Sequence, residues 1–122
     1  EYQAKELLAA AGATTPRHIV VDSAEAAEKA WDEITGGKGG AMVKAQIHAG
    51  GRGAGQLKGY GEKLGGVKFA PSKEKAGKLA GLMLSHSLVT LQTGPEGQPI
   101  KKLIVQADAE PAKEYYVGMV LD

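Results

Sequence analysis

The chain contains no cysteine, which rules out disulfides, thiolate metal sites and cysteine nucleophiles without naming a compartment. It also lacks any stretch near the roughly 20 apolar residues of a membrane-spanning helix, and no signal-like segment opens it, so a soluble, intracellular protein is the expectation. A dominant charge is missing as well. Fifteen Lys and Arg stand against fourteen Asp and Glu, a formal +1, and the absence of a long basic run argues against a large nucleic-acid-binding surface. What remains is 122 residues, enough for one domain that buries about two-thirds of its unfolded surface.

The most informative segment runs from Val43 to Phe69: an alternating apolar strand, a loop with eight glycines between Gly50 and Gly66, and a second short strand. Glycine has no Cβ, so such a backbone can lie against an anion and offer it N–H groups; a hairpin of this kind suits a lid over phosphates. The loop matches neither G-x-x-x-x-G-K-[ST] nor G-x-G-x-x-G. It joins strand to strand and so lacks the helix N-terminus that those phosphate sites use. Arg52 at its tip can fork onto phosphate oxygens. A merely mobile surface loop explains the same pattern, and pattern alone leaves both readings standing.

Around this segment the elements follow from periodicity. Ala4, Leu7, Leu8 and Ala11 fall at helical spacing and Gly12 stops them, predicting an opening amphipathic helix. His18 to Val21 reads as a short strand. Asp22 with Glu25 resembles a capping pair for a helix through Ile34, closed by Gly36-Gly37-Lys38-Gly39-Gly40. In Met42 to Ile47, Val43, Ala45 and Ile47 share one face, while Lys44, Gln46 and His48 share the other and point toward something polar. Ser72 caps a third helix with Ala76, Leu79, Ala80, Met83 and Leu84 as its buried stripe. Strands follow at Leu88 to Gln92, short enough for a sheet edge, and at Ile100 to Ala107, with a Gly-Pro-Glu-Gly turn between them; Glu114 to Leu121 alternates as a final strand. The order predicts an α+β domain with a mixed or antiparallel sheet and covering helices, divided into a small α/β region over residues 1–40 and a second sheet region within 41–122. Because a helical pattern is already under way at Glu1 and the chain stops at Asp122 directly after a strand pattern, a piece of a longer polypeptide is expected.

Several positions carry two readings. Lys44 lies in mid-strand, where it faces either solvent or a ligand. Gln106, Asp108, Glu110 and Glu114 surround an expected bend after an apolar strand. They form either a polar connector or a hinge whose backbone pairs with a nucleobase edge while Glu114 holds ribose hydroxyls. His48 has no local activating partner, which favours loop positioning over a phosphoryl-acceptor or base role, and His18 and His86 look no different.

Five ordered blocks, E-Y-Q-A-K-E-L-L, V-K-A-Q-I-H-A-G-G-R-G, G-G-V-K, L-V-T-L-Q-T-G-P-E-G-Q-P and A-K-E-Y-Y-V-G-M-V-L-D, resemble the N-terminal part of the β subunits of succinyl-CoA synthetases, and malate–CoA ligase β subunits carry nearly the same blocks. The resemblance implies the N-terminal part of an ATP-grasp fold, with nucleotide between two α+β subdomains and a glycine-rich hairpin over its phosphates. It carries ligand roles onto Lys44, Gly51, Arg52 and Gly53 for the phosphates, Gln106 and Ala109 for the base, and Glu114 for the nucleotide. The family pattern has glutamate where this chain has Gln106 and lysine where it has Ala54, so Lys58 or Lys63 could replace the missing cation, and Pro16 tilts the nucleotide toward ATP rather than GTP. It further implies a cytoplasmic enzyme (mitochondrial matrix in a eukaryote) that converts succinate and CoA at the expense of ATP with Mg²⁺. An α subunit, in an αβ or α2β2 assembly, would carry the phosphohistidine. The metal ligands, the second ATP-grasp half and the CoA-ligase region would lie outside these residues, leaving the isolated piece inactive. The competing class is a non-catalytic anion-binding module.

Overall fold

The computed structural model describes residues 1–108 and Val120; the expected strand from Glu114 to Leu121, and with it Ala109 and Glu114, falls outside the described residues. The elements run α1 (Tyr2–Ala10), β1 (His18–Val21), α2 (Ala24–Thr35), β2 (Ala41–Gln46), a 3-10 turn (Arg52–Ala54), β3 (Gln56–Leu57), β4 (Val67–Ala70), α3 (Lys73–Leu84), β5 (Ser87–Val89), β6 (Gln98–Pro99) and β7 (Lys102–Ala107). Capping chemistry explains the two longer helices. The Ser23 hydroxyl accepts from Ala26 N–H at 3.1 Å and starts α2, which Gly36 ends in the left-handed region at φ 64°. The Ser72 hydroxyl does the same for α3 from Lys75 N–H at 3.2 Å. The cap of α2 is therefore Ser23, one residue after the expected Asp22, because the hydroxyl sits at the residue that still has extended backbone (φ −148°).

Four strands form an antiparallel sheet in the order β1-β7-β2-β4. β1 pairs with β7 rather than standing in a region of its own, so the sheet's hydrogen bonds run across the boundary expected near Gly40. Register assigns the faces. Val21, Leu103 and Ala45 are opposite one another, as are Ile19, Val105 and Val43, and these side chains meet the helices. α2 lies on β7 and β1, α3 on β2 and β4, and the two helices pack on each other. Ala27, Ala30 and Trp31 from α2 and Ala76, Leu79, Ala80 and Met83 from α3 complete that core, and Trp31 Nε1–H donates to the Ala70 carbonyl at 2.9 Å. Leu84, expected in the buried stripe of α3, is only half-buried.

The glycine loop is built differently from a free hairpin. It does link the adjacent strands β2 and β4, but on the way β3 joins a second, three-stranded antiparallel sheet in the order β3-β5-β6. β5 is short as expected, yet it is the centre of that sheet and not an edge. Leu57 and Leu88 are buried between these pieces, and Leu64 closes the loop through Leu57 N–H to its carbonyl at 3.0 Å. Two glycines are needed for close approach. A Cβ at Gly65 would stand 2.6 Å from the Gly53 carbonyl oxygen, and one at Gly66 2.6 Å from Leu88. The loop is thus a packed crossing between two sheets. Among the described residues no helix is long and apolar enough to cross a membrane.

Helix α1 also departs from expectation. None of its residues is buried; Leu7 and Leu8 are 74% and 53% exposed. It is held at its N-terminal end by polar contacts instead: Tyr2 N–H donates to Gln46 Oε1 at 3.0 Å, and Lys102 Nζ lies 3.4 Å from the Tyr2 hydroxyl and over its ring.

Candidate functional site

On the face of the four-stranded sheet away from α2 and α3, the alternation of β2 and β7 decides which side chains stand together. Lys44 is opposite Ile104, Met42 opposite Gln106, and Gln46 opposite Lys102. The expectation that Lys44 and Gln46 point toward something polar is met by the first residue of α1. Lys44 Nζ donates to Glu1 Oε1 at 3.0 Å and to Gln106 Oε1 at 3.4 Å, and Gln46 Nε2 reaches Glu1 Oε2 at 3.5 Å.

Arg52 arrives at the same carboxylate from the glycine loop. Its Nη2 pairs with Glu1 Oε2 at 2.6 Å and its Nη1 donates to the Ala45 carbonyl at 2.6 Å. Its backbone is fixed as well, since Gly66 N–H donates to the Arg52 carbonyl at 2.8 Å while the Gly66 carbonyl accepts from Ala45 N–H at 2.7 Å. One glycine peptide therefore ties the arginine to the strand that carries Lys44. Lys5, one helical turn beyond Glu1, adds a third cation at 2.5 Å from Oε1. Partial burial of Glu1 opposes its ionisation. Hydrogen bonds from Lys5, Arg52 and Lys44, together with the guanidinium charge, outweigh that and hold its carboxyl well below the usual carboxylate range.

A continuous row results: Arg52, Glu1, Lys44 and Gln106 lie side by side, with Gln106 buried and the other three partly buried. Among the described residues three cations surround one carboxylate, and Lys44 and Arg52 have N–H donors beyond those that the described bonds use. Gly51 sits at φ 76° in the left-handed region at the start of the 3-10 turn, and no heavy atom lies within 4 Å of a Cβ position at Gly53, so the backbone on both sides of Arg52 can be approached closely. This donor set fits a polyphosphate. Lys58 and Lys63, the candidate substitutes for the cation missing at Ala54, are fully on the surface.

Two cavities open at opposite ends of β2 and β7. One, about 450 Å³, lies under α1 between Tyr2, Gln46, His48, Lys101 and Lys102 and shares Glu1 with the cation cluster. The other, about 420 Å³, lies between Gly40, Phe69, Ala107 and Asp108, where β7 ends. Gln106 is inside β7, as the strand expected from Ile100 to Ala107 places it, with β1 and β2 on either side; the strand continues through Ala107, whose N–H is taken by the Arg17 carbonyl at 2.9 Å. Any bend therefore begins after Ala107. His48 is exposed, His86 Nδ1 contacts the Leu82 carbonyl at 2.7 Å, and His18 Nδ1 contacts the Pro16 carbonyl at 3.2 Å. Glu1 is the residue that sequence reasoning missed. Its opening block was noticed, but nothing local marks a carboxylate whose partners stand 43 and 51 positions away.

A cationic sheet face with a glycine-flanked arginine defines a class, and comparison identifies it: the chain belongs to the ATP-grasp domain family, whose model matches residues 1–122. Among individual relatives, it is 48% identical over 122 residues to the succinate–CoA ligase (ADP-forming) subunit beta of Azoarcus sp. (strain BH72). It is 45% identical over 124 residues to the protein of the same description from Chloroherpeton thalassium and 46% over 122 residues to that from Bacillus licheniformis. Each alignment covers 100% of this chain and 29% of the relative, so the chain spans under a third of the length of these curated relatives.

Proposed function

We propose that the chain forms the phosphate-binding part of the nucleotide site in the β subunit of an ADP-forming succinate–CoA ligase, with ATP rather than GTP as nucleotide. The convergence of Arg52 and Lys44 on a single carboxylate, with Gln106 beside Lys44, is the observation that supports this most strongly. The reaction of such an enzyme is ATP + succinate + CoA = ADP + phosphate + succinyl-CoA, with a phosphohistidine on an α subunit in an αβ or α2β2 assembly. Succinate and CoA would meet the remaining parts of the enzyme, and these residues alone would turn nothing over. A cytoplasmic location follows from that reading.

Phosphoryl transfer depends on positioning and on neutralising charge, and both tasks suit these side chains. Lys44 offers a compact point charge from the middle of a rigid strand. Arg52 offers a planar fork whose direction is set by the Ala45 carbonyl. Gly51 and Gly53 leave room for phosphate oxygens to reach the backbone. Gln106 holds Lys44 from the side, and Ala109 and Glu114 are proposed to receive the base and ribose. Mg²⁺, which residues beyond this segment would hold, would supply positive charge against that of the phosphates.

The test is calorimetric titration of the complete αβ enzyme with Mg·ATP, Mg·GTP and inorganic phosphate, for wild type and Arg52→Ala. A charge-assisted hydrogen bond contributes about 1.5–3 kcal/mol, so the variant should bind ATP roughly 10- to 100-fold more weakly. An unchanged dissociation constant would remove the phosphate assignment, and phosphate binding without nucleotide preference would favour a non-catalytic anion module.

A further inference from the structure

Helix α1 buries none of its side chains, so hydrophobic burial does not dock it; its attachment to the sheet is polar and concentrated at Glu1 and Tyr2. That arrangement delivers one carboxylate, 17% exposed, between two cations that would otherwise repel each other. We propose that Glu1 is a positioning residue for nucleotide binding, a fixed internal anion that holds Lys44 and Arg52 at the separation a polyphosphate needs. This rests on the function proposed above.

The geometry carries the inference in three ways. Oε1 receives Lys44 and Oε2 receives Arg52, so the two cationic ends are tethered one carboxylate apart. The carboxylate is itself mounted rigidly, because the next peptide N–H is bound by Gln46 from the same strand that carries Lys44. Among the described residues Lys5, Lys44 and Arg52 outnumber the one carboxylate, a balance that attracts an incoming phosphate without displacing Glu1. Ordering both side chains before the ligand arrives lowers the entropic cost of binding, which is substantial for long, flexible Lys and Arg side chains.

The experiment uses the complete enzyme with Glu1→Gln, Glu1→Asp, Arg52→Ala and the Glu1→Gln/Arg52→Ala double variant. Nucleotide dissociation constants are measured, together with the rate of tryptic cleavage after Arg52 in nucleotide-free protein. Glu1→Gln should weaken nucleotide binding about 5- to 20-fold, and Glu1→Asp should recover part of that loss because the charge remains. In the double variant the Glu1 effect should shrink to under about twofold relative to Arg52→Ala alone, since there is no arginine left to position. Cleavage after Arg52 should accelerate in Glu1→Gln. Unchanged or tighter nucleotide binding in Glu1→Gln, or full additivity in the double variant, would overturn the positioning role while a loss in Arg52→Ala left the phosphate site standing. No loss in Arg52→Ala would sink the phosphate site itself.

Discussion

The two faces of the four-stranded sheet are made from the same strands, alternating residue by residue, yet they obey different physics. On the covered face Val43, Ala45, Leu103 and Val105 are sealed by α2 and α3, and their arrangement is set by volume. On the opposite face hydrogen bonds and charge set the arrangement: Lys44 and Gln46 reach Glu1, Gln106 accepts from Lys44, and Lys102 lies at the Tyr2 hydroxyl. The lesson is that one face supplies stability and thereby fixes the backbone from which the other presents its cations. A site built on strands anchored this way holds its geometry better than one built on a loop.

The contrast can be broken most severely from the covered side. Leu103→Ala removes a fully buried side chain from the middle of the core and should cost about 2–5 kcal/mol, read as a lowered denaturation midpoint of the complete β subunit. The opposite face should respond to acid instead. Glu1 is ionised in the folded protein at pH values where an ordinary carboxylate, with a pKa of about 4.3, takes up its proton. Its contribution is therefore complete above about pH 5 and is lost as pH falls below that, because the unfolded chain then binds a proton that the folded one refuses. The stability gap between wild type and Glu1→Gln should be widest near neutrality and narrow steadily as pH falls below about 4, with part of it still present at about pH 3 because the folded carboxyl titrates lower still. A gap independent of pH would mean that the carboxylate contributes by packing alone. The smallest effect belongs to the helix pair. Lys73 and Asp32 form an ion pair at 2.9 Å with both side chains over 40% exposed, and although Asp32 raises the lysine's pKa, Asp32→Asn should leave the melting temperature unchanged within error.

Much of the fold was legible because it is written locally. The hydroxyl of Ser72, the alternation of Val43 and Ala45 with Lys44 and Gln46, and the glycines after Thr35 each act within a few residues of themselves. What escaped was written at long range. The insertion of β7 between β1 and β2 depends on partners more than eighty residues apart, such as Val21 with Leu103. The packed glycine crossing looked like a lid because eight glycines signal freedom, whereas Gly65 and Gly66 are small to let the chain pass close to Gly53 and Leu88. The same distance effect hid Glu1. Lys44 and Arg52 were identifiable by residue type and position, but the acid that joins them lies in a helix whose apolar stripe suggested burial that it does not have.

The strand order has a consequence for how the molecule comes into being. Among the described strands β7 is the last to leave the ribosome, yet its place is between β1 and β2, so until it arrives β1 and β2 have their facing hydrogen-bonding edges unclaimed. A nascent chain halted before Lys102 would expose both edges together with half a core. Pairing of β1 and β2 into the described sheet therefore waits for the six residues of β7, and their long sequence separation from β1 makes that a slow, non-local step.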